Sequence, residues 1–197
     1  MSGGFLLLAA LLYYLDTGSL LLWTGAACAL HELGHYGAVL LWGGQVAALR
    51  LTCVGAEMVL SARRPLSRWG EVWAALAGPA VNLLLALGSA RLAPALGEGL
   101  FLFSGVNLAL AAFNLLPIAR LDGGRALRGL LCVARGEEAA QHLARVCSVA
   151  VSAALVLGSA LLLARGEASF TLLLTALWLL AASAGDGGMK FVAKRRN

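Results

Sequence analysis

The chain has 197 residues, 60% of them hydrophobic and only 13% charged, with a formal net charge of +5. Its mean hydropathy is +0.84. So little charge excludes an ordinary soluble domain, whose surface needs far more; the long apolar runs predict instead an all-α polytopic membrane protein.

Six spans are expected in a single transmembrane domain, 1–197, at about residues 3–17, 19–41, 72–92, 100–118, 143–163 and 170–184. The first is short, since the apolar stretch 5–15 reaches only about 16 Å at the helical rise. It has no Lys or Arg ahead of it and no clear cleavage site, which favours a short span over a signal peptide. The longest gap, 42–70, opens with Gly43-Gly44 and continues "QVAALRLTCVGAEMVLS". Read with period two, it predicts a short membrane-associated β-hairpin, roughly 45–53 and 56–61, at the cytoplasmic interface; a loop without regular pairing is the other reading.

The basic residues test this layout independently, because short cytoplasmic loops accumulate Lys and Arg. With both termini inside, Arg50, Arg63, Arg64 and Arg68 share one cytoplasmic loop. Arg120, Arg125, Arg128, Arg135 and Arg145 lie in or beside the next, and Lys190, Lys194, Arg195 and Arg196 form a tail. Only Arg91 and Arg165 fall outside. The positive excess therefore faces anionic headgroups, and no nucleic-acid role is needed to explain it. The four cysteines show no CxxC pairing, and a disulfide is not expected on the cytoplasmic side. Cys28, three residues before His31, reads as a small buried packing residue.

The second span carries His-Glu-Leu-Gly-His at residues 31–35. Positions four apart share a helix face, so His31 and His35 can offer two ring nitrogens to one metal ion. Glu32 points about 100° away and can take a proton from water activated at that metal, the division of labour of a zinc hydrolase. Gly34 would leave room for a substrate backbone. Three ionisable groups would be costly if left unused in a span. Counting back from Leu41 puts His35 about 9 Å and His31 about 15 Å below the cytoplasmic surface.

A third ligand should come from another segment at similar depth. In "FNLLPIARLDGGRAL", residues 113–127, Pro117 breaks the fourth span and Gly123-Gly124 permits close backbone packing, so an irregular segment can deliver Asp122. Taken alone, Asp-Gly-Gly reads equally well as a turn. Asn114, just before the bend, has an amide able to donate to an oxyanion formed on a peptide carbonyl. Asn82 and Asn107 read as interhelical hydrogen-bonding residues, and His142 as exposed.

"HELGH", "AGPAVN" and "NLLPIARLDGG", in that order on three spans, resemble the site-2 protease family of intramembrane zinc metalloproteases. The resemblance covers residues 29–128. It implies that His31, His35 and Asp122 hold one Zn2+ per chain, that Glu32 activates water, and that Asn114 assists near the scissile bond. It also implies a hairpin that pairs with an extended substrate strand. The expected location is a bacterial cell membrane, and the partners are a membrane-tethered protein substrate, the lipid bilayer and inhibitory membrane proteins. "NLLP" leading into "LDGGR" is most similar to the stage IV sporulation protein FB branch, which releases a sigma factor from a membrane-tethered precursor. The CBS domain of that branch would follow the last span, where only "DGGMKFVAKRRN" stands, and no periplasmic loop is long enough for the PDZ insert of the anti-sigma-cleaving branch.

Two other readings stay open. A catalytically silent membrane scaffold or metal-binding transport protein could use the same ligands, but would have no need of Glu32 as a base. A membrane zincin of another fold would take its last ligand from a distant Glu rather than from Asp122.

Overall fold

The computed structural model describes residues 20–52, 55–60, 64–166 and 170–185. The expected span 3–17, Cys53 and the basic tail lie outside these residues. The chain divides into two compact units, Met1–Asn114 and Leu115–Asn197.

The first unit contains α1 (Leu20–Leu41), strands β1 (Val46–Thr52) and β2 (Gly55–Leu60), α2 (Arg68–Leu96) and α3 (Gly99–Asn114). α1 ends where glycine allows a left-handed residue. Gly43 has φ +75°, its N–H reaches the Leu40 carbonyl, and the Gly44 N–H reaches that of Val39. These two bonds form a Schellman cap and turn the chain into the strands, which pair antiparallel from Thr52↔Gly55 to Val46↔Leu60 with an irregularity after Val46. α2 starts at Ser67, whose Oγ accepts the Gly70 N–H at 3.1 Å, an ordinary N-cap.

The three helices of this unit pack on one another through small residues. Ala27, Ala74, Ala75, Ala86, Ala93 and Ala111 are buried, whereas Leu33, Leu84, Leu87 and Phe101 stand exposed. Small residues inside and large apolar ones outside invert the soluble pattern and match helices whose solvent is hydrocarbon. Polar groups bridge the helices: Ser104 Oγ donates to the Ala86 carbonyl at 2.8 Å.

The second unit contains α4 (Asp122–Arg135), α5 (Glu137–Ala164) and α6 (Phe170–Gly185). Ile118, Leu121 and Leu179 form its apolar centre. Beside them, Ser148 Oγ accepts the Ala119 N–H at 2.9 Å and donates to Ser183 Oγ at 2.8 Å. The pair ties the irregular segment 115–121 to α5 and α6. Ser148→Ala should leave the Ala119 N–H without this acceptor and cost about 1–3 kcal/mol. A lower Tm of the detergent-solubilised protein is the expected result, and an unchanged Tm would remove Ser148 as the tie.

Two element boundaries differ from the sequence expectation. The fourth apolar stretch, expected over 100–118, is helical only to Asn114, because Pro117 has no N–H and disfavours helix at Leu116. Residues 122–135, assigned only to the stretch between two spans with no element of its own, form α4. This helix is amphipathic with several arginines, so a search for continuous apolar runs passes over it. α2 and α5, at 29 and 28 residues, are long and apolar enough to cross a membrane, with α3 and α6 as shorter apolar helices. α1 has the length, at 22 residues, but its apolar run is interrupted by the motif.

Candidate metal centre

One stripe of α1 is buried: Ala27, His31, His35 and Val39, each four residues from the next. The period of 3.6 puts both imidazoles on this stripe, and it is turned toward α2. The rings meet edge to face with centroids 4.7 Å apart, and their Nε2 atoms are 3.0 Å apart. Each ring is held at its other nitrogen by α2. His35 Nδ1 donates to the Ala74 carbonyl at 2.6 Å, and His31 Nδ1 faces Asn82 Oδ1. With Nδ1 carrying the hydrogen, the neutral ring presents a lone pair at Nε2.

Two lone pairs turned toward one point repel unless a cation takes both. Their separation is close to the edge of a tetrahedral site, ~3.3 Å when Zn–N is about 2.0–2.1 Å. The donors also have the partners that metal-binding imidazoles have, an acceptor behind each Nδ1. The residues therefore fit a zinc ion on their chemistry and spacing.

Gly78 makes room for this pair. A Cβ there would sit 2.7 Å from His31 Nε2, 2.6 Å from His35 Cε1, and against His35 Nε2 as well. The signal for Gly78 was present in "AGPAVN", but only the packed helices reveal its purpose. Gly34 has a different role from the one expected. A Cβ there would lie 2.9 Å from the Ala77 carbonyl oxygen and 2.9 Å from Val81 Cγ2, so Gly34 admits α2 rather than a substrate. Cys28 is exposed, not buried: the stripe runs through its neighbour Ala27, four residues before His31.

Glu32 is half-buried on α1 beside the stripe. Asn114 is the last residue of α3, and its Nδ2 donates to the Leu110 carbonyl at 3.0 Å, which uses one of its two amide N–H groups. His142 is exposed on α5. Asn82 and Asn107 do hydrogen-bond between helices, with Asn82 Nδ2 donating to Asn107 Oδ1 at 2.7 Å; the link from Asn82 to His31 was not foreseen.

In the second unit, Asp122 is buried and opens α4, where the positive end of the helix favours a carboxylate. Arg125 Nη1 lies 3.4 Å from its Oδ1. The glycines that follow are obligatory. A Cβ at Gly123 would strike the Leu115 carbonyl and lie 2.7 Å from that of Leu116, and one at Gly124 would strike the Ile118 carbonyl and lie 2.8 Å from the Ala119 nitrogen. Asp122 is thus held by backbone packed on backbone. Each of His31, His35 and Asp122 is buried and offers one ligand atom of a type that zinc accepts.

Residues 90–159, from the end of α2 through most of α5, match the model of Peptidase family M50. Over that stretch the chain is similar to the M50 peptidases. The match includes Asp122, while the histidine motif lies ahead of it. A Synechocystis protein provisionally named a zinc metalloprotease is 34% identical over 119 residues, 57% of this chain and 31% of that protein. A zinc metalloprotease of Methanocaldococcus jannaschii is 29% identical over 108 residues, 52% of this chain and 31% of that protein. The chain thus spans about a third of the length of these curated relatives. Among solved structures, the site-2 protease from Methanocaldococcus jannaschii shares the fold, with a TM-score of 0.68, 23% identity, and coverage of 91% of this chain and 84% of that one.

Proposed function

We propose that this chain is an intramembrane zinc metalloprotease, an endopeptidase that cuts a membrane-tethered protein near the cytoplasmic leaflet. The observation that carries this reading is the imidazole pair, two buried Nε2 atoms 3.0 Å apart with oxygen acceptors behind both Nδ1 atoms. Metalloprotease names among the relatives support it, as does the M50 match. His31, His35 and Asp122 are the proposed ligands of one zinc ion. Zinc held there supplies Lewis acidity toward water and the scissile carbonyl.

Glu32 takes a proton from the attacking water at its carboxylate and returns it to the leaving amine. Asn114 donates from its amide to the carbonyl oxygen as charge develops there. Substrate must arrive extended, because a helical peptide bond is shielded by its own turn. Strands β1 and β2 form a two-stranded sheet among the described residues, and in this reading an edge of it accepts the substrate by main-chain pairing. The apolar exteriors of the helices belong in lipid, in a bacterial cell membrane crossed several times with both termini cytoplasmic. A membrane-tethered sigma-factor precursor is a substrate of the right topology, and inhibitory membrane proteins are the expected regulators.

Purified protein should carry one zinc per chain by elemental analysis and cleave a tethered test substrate in a chelator-sensitive way. Asp122→Asn weakens the third ligand and should lower zinc occupancy well below that of the unmodified protein. Unchanged zinc in that variant would hand the third position to another residue, and a metal-free, inactive parent would end the protease reading.

A further inference from the structure

Why His31 holds its metal-facing nitrogen ready can be traced through two buried amides. A primary amide can turn either its oxygen or its NH2 toward a neighbour, so Asn82 alone does not decide which nitrogen of His31 carries the hydrogen. Its surroundings decide. Asn82 Nδ2 donates to two oxygens, Asn107 Oδ1 at 2.7 Å and the Ala27 carbonyl at 3.3 Å. Asn107 is fixed in turn, since its own Nδ2 donates to the Phe103 carbonyl at 2.8 Å, an acceptor that cannot reverse. With Nδ2 of Asn107 pointing at Phe103, its Oδ1 faces Asn82. With Nδ2 of Asn82 pointing at Asn107, its Oδ1 faces His31 Nδ1. Both asparagines are 0% exposed, so water does not offer either amide an alternative partner.

We infer that Asn107, acting through Asn82, is a positioning residue that fixes His31 as the Nδ1-protonated tautomer and so reserves Nε2 for the metal. His35 needs no such relay, because its Nδ1 meets a backbone carbonyl directly. One ligand is thus oriented by main chain and the other by a three-helix chain running from α3 through α2 to α1. Reversing either amide would present an N–H to His31 Nδ1, favour hydrogen on Nε2, and block coordination. The inference rests on the zinc reading above for its purpose, but the tautomer can be read without metal.

The test uses the full chain in detergent, stripped of metal and labelled with 15N-histidine, at a pH where the imidazoles are neutral. Two-bond 15N–1H correlation spectra tell the two tautomers apart, and His142→Gln simplifies assignment. Wild-type His31 should be Nδ1-protonated; hydrogen on Nε2 would overturn the inference regardless of any variant. Asn107→Leu removes the shorter of the two bonds that orient the Asn82 amide, leaving only the 3.3 Å bond to the Ala27 carbonyl, without removing a group bonded to a histidine. It should shift His31 toward the other tautomer and weaken zinc binding, by chelator competition, about 10- to 100-fold. Asn82→Ala should do the same, and the double variant should be no weaker than Asn82→Ala, because the two act in one chain. A purely structural contact would instead lower Tm while leaving tautomer and zinc affinity unchanged, and that result, or additive losses, overturns the relay. Should the wild type bind no zinc, the protease reading fails while the metal-free spectrum still decides this one.

Discussion

Glu32→Gln should abolish cleavage of a tethered substrate while zinc content and expression stay near normal. Glu32 follows His31 directly, and helical geometry swings it off the ligand stripe, so glutamine leaves both imidazoles and their partners on α2 in place. What is lost is a carboxylate able to take a proton and give it back, a contribution on the order of 10²–10⁴ in rate. Elemental analysis and a cleavage assay on one preparation separate the two effects. Full cleavage by the variant would end the protease reading, and loss of zinc alongside activity would recast Glu32 as part of the metal's support. A metal-binding scaffold or transporter has no use for this base, so the same pair of measurements decides between the classes.

Gly78→Ala should damage the metal centre more than its size suggests. The added methyl carbon would lie 2.7 Å from His31 Nε2 and crowd His35 Nε2, so the imidazoles must leave their positions or α2 must withdraw from α1. Withdrawal breaks the hydrogen bonds to Ala74 and Asn82, and overpacking of this kind costs about 1–3 kcal/mol. We expect zinc affinity to fall by at least about tenfold, in line with loss of the partners behind metal-binding histidines. Gly88→Ala is the control: it lies in the same helix with nothing within 4 Å of the added carbon, and should be neutral or slightly stabilising. Equal zinc affinity in the two variants would show that α2 does not press on the pair.

The histidine stripe was legible because helical periodicity is a local rule: residues 31 and 35 must share a face whatever surrounds them. Asp122 was legible as a candidate because Pro117 ends a helix by equally local physics, and the paired glycines that follow mark close backbone packing. Cys28 shows the limit of that rule. Three residues leave it about 60° from His31, enough to expose it while Ala27 is buried. α4 was missed because its arginines interrupt every apolar run, although they are what an amphipathic helix looks like. The link from His31 to Asn82 was not readable at all. It joins residues 51 apart, and which turn of α2 meets which turn of α1 depends on glycines whose role emerges only when the helices touch. Polar residues in apolar helices announced that they would bond across, but not to what.

The shallow interior has a consequence for variation in this protein. Where most proteins are injured by trimming a bulky core side chain, few such side chains are buried among the described residues; alanine, serine, asparagine and glycine line the contacts instead. Tolerance should therefore run in the reverse direction, with leucine-to-alanine changes on the outer faces absorbed by the surrounding lipid, and a single added carbon on an inner face forcing two helices apart.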